Sequence, residues 1–228
     1  MSHIVAGATI QGPDYRGLKN INQDSLYSIS ENGITVIAVS DGAGSLRNSH
    51  IGAQISAQMS AEETLDSILD GNSLEESVRI GVERTRDVLL SRDDASTIGC
   101  TLAIAVICDQ GWAAGVVGDA FAVISHDETR HEMIQPVQKS EFANITKLLT
   151  SNSYDPIYVS GTDVPLGVSV ASDGLTPSAI ESGKALPGFW SPLIDRVSSE
   201  KIDISSFLTF IKNQGKVSDD TTLIIATS

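Results

Sequence analysis

The chain is short of the residues from which many sites are built. Only 5% of its 228 residues are aromatic, and it has two cysteines and four histidines. Cys100 and Cys108, in "GCTLAIAVIC", stand too far apart along an extended segment for a disulfide. Both are expected as buried, reduced thiols. His3, His50, His126 and His131 show no metal-ligand spacing, and the last two, flanking "DETR", are expected in a solvated turn. No G-x-S-x-G elbow marks a serine nucleophile, and no Gly-Lys-Ser/Thr follows the glycines of "DGAGS", so a P-loop is excluded.

Positive charge is also scarce. Fifteen Lys and Arg against 29 Asp and Glu leave a formal charge of −14. That balance opposes nucleic acid and anionic membrane surfaces as partners. No stretch reaches the roughly 18 apolar residues that span a bilayer, and "MSHIVAGATIQG" has no secretory pattern. The expected location is the cytoplasm. With no linker, repeat or low-complexity tract, residues 1–228 are read as one domain; no feature sets an oligomeric state.

What the chain does have is short apolar segments rich in Val, Ile, Leu and Ala. Strands are expected at 3–10, 25–30 and 34–40, with "ENG" as a hairpin turn. Two helices follow. Ile51, Ile55, Met59, Leu65 and Ile68 recur at helical spacing in the first; Ser73 caps the second, which aligns Leu74, Val78, Val82 and Leu89. Strands return at 100–108, 111–118, 120–125 and 131–137, then a helix or helical lid at 140–151, and strands "PIYVS" and "LGVSVAS". Helical material around 178–213, from Asp203 as N-cap to Gly215 as stop at its end, precedes a last strand, "TTLIIATS". Trp112 and Trp190 are expected in the core or under a lid. Runs of antiparallel strands separated by helices give an α+β class, a β-sandwich covered by helices.

Acidic residues adjoin these strands repeatedly: Asp24 in "NINQDSLY", Asp41 in "VSDGAGS", Asp119 in "VVGDAFAVI", Asp173 in "ASDGLTP", and Asp219 with Asp220 in "VSDDTTLIIA". One such Asp is ordinarily a turn or cap. Strand ends on one edge of a sandwich converge, however, and clustered carboxylates need cations to stay ionised. With no His or Cys beside them, hard ions such as Mg²⁺ or Mn²⁺ are the expected partners. Gly42 would let a backbone carbonyl approach an ion closely.

"NQDS", "VSDGAGS", "GCTLAIAVI", "VVGDAFAVI", "ASDGL" and "SDDTTLIIA", in this order, resemble the protein phosphatase 2C family, and "EFAN" and "FWSPL" resemble its compact bacterial branch. The resemblance implies a central antiparallel β-sandwich flanked by helices in four layers. It implies metal-dependent hydrolysis of phosphoserine and phosphothreonine in proteins. Asp41 would bridge two divalent cations, Mn²⁺ or Mg²⁺, with the Gly42 carbonyl on one and Asp173 and Asp219 on the other. Asp24 would orient the attacking water, and Asp119 would serve a further, weaker metal. Two such cations about 3.5–4 Å apart activate a water for in-line attack on phosphorus.

The chain departs from the family pattern in several places. Gln23 stands where Glu is common, and Lys19, with Arg16 or Tyr15, where Arg holds the substrate phosphate. Lys is a point charge rather than a bidentate fork. Ala43 replaces a His that serves larger members as general acid, and Pro177 replaces a second Asp. These departures motivate a rival reading, a catalytically weak or inactive binding module of the same fold. The kept carboxylates Asp24, Asp41, Asp173 and Asp219 favour the enzyme.

Overall fold

Strand segments without polar interruptions need cover on both faces, and in this protein they have it. The structure is a computed structural model and describes residues 3–13, 21–136 and 146–228. Strands β1 (Ile4–Ile10), β2 (Asp24–Glu31) and β3 (Ile34–Asp41) lead into helices α1 (Ser49–Leu69) and α2 (Leu74–Ser91). Strands β4 (Leu102–Cys108), β5 (Gly111–Val117), β6 (Phe121–Ser125), β7 (His131–Ile134), β8 (Ile157–Gly161) and β9 (Gly167–Ala171) come next. A short helix α3 (Thr176–Ala179) precedes a two-residue hairpin, β10 (Ile180–Glu181) and β11 (Lys184–Ala185). Helices α4 (Pro187–Ser198) and α5 (Ile204–Asn213) and strand β12 (Thr221–Thr227) complete the order.

The long strands form two five-stranded sheets, ordered β2-β3-β4-β5-β8 and β1-β12-β9-β6-β7, with antiparallel pairing throughout. Alternation along β3 sorts the layers. Ile37 and Val39 join Ala105, Ile107, Ile124, Val170 and Ile224 between the sheets. Val36 and Ala38 face outward with Leu102 and Ile104 to meet α1 and α2. On the other side Phe121, Val123, Leu223 and Ile225 pack with Trp190 and Leu193 of α4 and Leu208 of α5. The result is the expected α+β sandwich in four layers, helix–sheet–sheet–helix.

Several local expectations are met by visible geometry. Asn32 and Gly33 both take positive φ, 52° and 77°, in the β2–β3 hairpin. Ser73 Oγ accepts the Glu76 N–H at 3.4 Å, and Asp203 accepts the N–H groups of Ser205 and Ser206. Gly215 follows α5 with φ of 69°. Both cysteines are buried and free, and both tryptophans are in the core. Among the described residues no helix is long and apolar enough to cross a membrane.

Others need correction. The first helix buries Gly52, Ala53, Ser56, Ala57, Ser60 and Ala61 more deeply than Ile51 or Ile55. It packs on a sheet and beside α2, so small residues take most of the close approaches; Leu65 joins them in the core, and Ile51, Ile55 and Ile68 lie at its margin. Strand β7 stops at Ile134 rather than 137. Of the expected helix or lid at 140–151, residues 140–145 lie outside the described residues, and 146–151 are not helical. The region 178–213 includes a β-hairpin besides its helices. His126 and His131 are less solvated than expected, the first enclosed and the second half-buried. The His126 side chain is 6% exposed, with Nδ1 2.6 Å from Asp163 and Nε2 3.2 Å from Glu132. His131 lies between the hydroxyls of Ser125 and Ser191, each at 2.9 Å, and its burial lowers its pKa.

Candidate metal centre

Antiparallel pairing decides where the acidic strand ends go. Asp24 pairs directly with Asp41, Ile10 with Thr221, and Phe121 with Ala171. The starts of β2, β6 and β12 and the ends of β1, β3, β5 and β9 therefore share one mouth of the sandwich. Asp24 and Asp41 come from one sheet, Asp173 and Asp219 from the other, and Asp119 from the β5–β6 connection between them.

The carboxylates meet there. One oxygen each from Asp41, Asp119 and Asp173 lies within 4.8 Å of the others. These three and Asp219 line a cleft of about 450 Å³, together with Gln23, Ala43 and Thr101. Asp24 is buried behind Asp41, and its Oδ2 accepts hydrogen bonds from Ser172 Oγ and Thr222 Oγ1, both at 2.7 Å. Its Oδ1, and Asp173 Oδ1, are buried and receive no hydrogen bond from a described residue.

Burial and mutual repulsion make this cluster costly without a cation. Burial pushes Asp24 up to about 6, against the opposing hydroxyls of Ser172 and Thr222. Asp173 also rises to about 6, by burial and then the charges of Asp119 and Asp219. Asp41 is raised well above the carboxylate range, by burial and then by Asp24 and Asp173. The donor set is all oxygen, and two buried carboxylate oxygens stand without donors. Hard divalent cations fit such a site.

Backbone contacts hold the aspartate-bearing segments in place. Thr101 holds the Asp41 backbone twice: the Asp41 N–H donates to Thr101 Oγ1 at 3.2 Å, and the Asp41 C=O accepts the Thr101 N–H at 2.8 Å. Gly42 donates to the Gln23 C=O at 3.1 Å. A Cβ on Gly42 would lie 2.7 Å from the Ser49 carbonyl carbon, so the missing side chain admits the first turn of α1. The glycine after Asp41 therefore has a packing reason besides the expected approach of its carbonyl to an ion. Thr146 Oγ1 donates to Asp119 Oδ2 at 2.5 Å, and Gln135 Nε2 donates to the Asp119 C=O at 2.6 Å.

Asp24, Asp41, Gly42, Asp119, Asp173 and Asp219 all lie at this mouth. Asp119 sits in the closest triad, while Asp219 is exposed at the cleft's side. Arg16, Lys19 and Tyr15 fall outside the described residues. Pro177 opens α3, where a missing N–H costs nothing. The hydroxyls of Ser172 and Thr222 were missed. Their signal was modest: a Ser before Asp173, and a Thr two residues after Asp220.

An antiparallel sandwich with a cluster of partly buried carboxylates at one mouth is a fold whose open cleft could hold hard cations. A sequence profile described as protein phosphatase 2C matches residues 12–209. This chain belongs to the protein phosphatase 2C family. No curated protein sequence matches it significantly. Among solved structures it resembles a sex-determining protein of C. elegans, with TM-score 0.69 and 16% identity, over 100% of this chain and 65% of that one. It thus spans about two-thirds of that relative's length. The serine/threonine phosphatase of S. agalactiae matches with TM-score 0.68 and 14% identity over 99% of both chains. RsbX in complex with magnesium matches with TM-score 0.63 and 19% identity, over 100% of this chain and 96% of that one.

Proposed function

We propose that this chain is a cytoplasmic, metal-dependent phosphatase that hydrolyses phosphoserine and phosphothreonine in proteins. The observation that carries this reading is the triad of Asp41, Asp119 and Asp173 within 4.8 Å, backed by buried Asp24. Asp41, Asp173, Asp219 and Asp119, with the Gly42 carbonyl, would hold Mn²⁺ or Mg²⁺. When bound, such cations neutralise phosphate charge and acidify water. Asp24, buried behind Asp41, would orient the attacking water. The water oxygen forms the new bond to phosphorus as the ester bond breaks. The proton released by water ends on the departing alcohol, by way of solvent, since Ala43 offers no acid. Two buried free thiols and the charge of −14 support a reducing, soluble setting without nucleic acid.

The test is hydrolysis of p-nitrophenyl phosphate and of a phosphothreonine peptide, with and without Mn²⁺, by the wild type and by Asp41→Asn. Turnover that needs the metal and disappears in the variant supports the reading. Turnover without metal, or undiminished in the variant, removes it. A protein that binds Mn²⁺ yet cleaves no phosphoester is the regulatory module instead.

A further inference from the structure

Two N–H groups from separate segments end on one buried carboxylate that the proposed chemistry does not use. Asp220 is 2% exposed. Its Oδ1 accepts the Gly12 N–H at 2.7 Å, and its Oδ2 accepts the Gln23 N–H at 2.9 Å. Its own N–H donates to Asp219 Oδ1 at 2.6 Å. Consecutive side chains thus work in opposite directions: Asp219 lines the cleft, and Asp220 reaches inward.

The surrounding contacts show why a displacement here would be transmitted. Segment 11–13 lies directly on the Asp219–Asp220 peptide: a Cβ on Gly12 would sit 2.2 Å from the Asp219 carbonyl carbon. Lys212 of α5 holds the same segment from outside, donating to the Gln11 C=O at 2.7 Å. Gln23 is bonded on both sides, by its N–H to Asp220 and by its C=O to the Gly42 N–H at 3.1 Å. The next residue is Asp24, and the residue before Gly42 is Asp41. One carboxylate therefore ties Asp219, the start of β2 and the end of β3 into a single frame.

We propose that Asp220 is a positioning residue that sets the spacing of the metal-holding carboxylates contributed by the two sheets. It does so through its bonds to Gly12 and Gln23 and not by touching the substrate. The carboxylate is required because two N–H groups converge on it. An Asn of nearly equal volume offers one acceptor oxygen and turns an NH₂ group toward the other N–H. The inference rests on the proposed function for its metal site as well as for its kinetic readout.

The experiment measures Mn²⁺ affinity by calorimetry and p-nitrophenyl phosphate kinetics at saturating Mn²⁺, for the wild type, Asp220→Asn and the equal-volume pair Asp220→Glu and Asp220→Gln. Residues that support metal ligands typically contribute about 10–100-fold in affinity or activity. D220N is expected to keep a cooperative melt, bind Mn²⁺ about 10-fold more weakly, and lose about 10-fold in kcat with KM little changed. D220E is expected to exceed D220Q in both measurements, because it keeps two acceptor oxygens. Wild-type affinity and kcat in D220N would overturn the proposal, as would equal values for D220E and D220Q. A wild type that binds Mn²⁺ without hydrolysis removes the phosphatase reading, while the affinities still judge Asp220. A wild type that binds no Mn²⁺ removes both.

Discussion

Asp24 and Asp41 face each other across the first rung of the β2–β3 ladder, and the deeper of the two is held by hydroxyls from the opposite sheet. Ser172 and Thr222 thus cross the sandwich to reach Asp24, and Thr222 is linked on to Thr9 at 2.6 Å. A buried network of this kind orients a carboxylate only while its members are present.

Ser172→Ala and Thr222→Val test that network. Each removes one donor to Asp24 Oδ2, and Ser172→Ala also leaves the Thr222 N–H without its acceptor Oγ. Each variant should lose about 1–2 kcal/mol of stability by chemical denaturation. Each should lose about 10-fold in kcat on an aryl phosphate. Unchanged kinetics in both variants would show that Asp24 needs no such support.

Asp41→Asn should abolish activity and yet stabilise the metal-free protein. Neutralising the residue relieves its repulsion by Asp24 and Asp173. A gain of about 1–2 kcal/mol at pH 7.5 is expected, the usual sign where a site is built at a cost to stability. The melting temperature should rise relative to metal-free wild type, and added Mn²⁺ should move it little. A lower melting temperature would mean that the carboxylates are not in conflict.

The same conflict sets a pH dependence. Asp24 and Asp173 titrate near 6 in the folded protein, above the ordinary carboxylate value of 3.8. Between those values the folded state binds more protons than the unfolded state, so the contribution of these groups falls as pH rises. Their penalty is absent below about pH 4 and complete above about pH 6 to 7. The stabilisation from Asp41→Asn should therefore shrink between pH 7.5 and pH 5 in melting curves without metal. A gain that grows on acidification would contradict the sign.

Gly42→Ala should damage packing and the site together. Its Cβ would meet the Ser49 backbone at 2.7 Å and the Gln23 carbonyl oxygen at 2.8 Å. Both are backbone contacts that cannot rotate away, and overpacking of this kind costs about 1–3 kcal/mol. The loss should appear in urea denaturation, with weaker Mn²⁺ binding as the Gly42 backbone is displaced from Ser49 and Gln23.

Much of the architecture was legible because its signals are local. Apolar runs bounded by turn residues located the strands, and Ser73 and Asp203 announced helix starts through bonds made within three residues. The small-residue face of α1 was not legible, since what covers Ala53 and Ser56 depends on how closely a sheet and α2 approach. His126 and His131 were misplaced for the same reason. Their partners Asp163 and Ser191 lie 37 and 60 residues away.

The site divides along the same line. Sequence alone determined which groups are available: aspartates at strand ends, oxygen donors without His or Cys beside them, and a glycine after Asp41. Their period and punctuation are short-range properties of the chain. Tertiary structure alone decided which of them meet. Asp119 joins Asp41 and Asp173 because the β5–β6 connection crosses between sheets at the mouth they share, and Asp219 and Asp220 part company because one neighbours the cleft and the other neighbours Gly12 and Gln23. Distances between residues some 200 positions apart are set by sheet pairing and packing, and no local pattern encodes them.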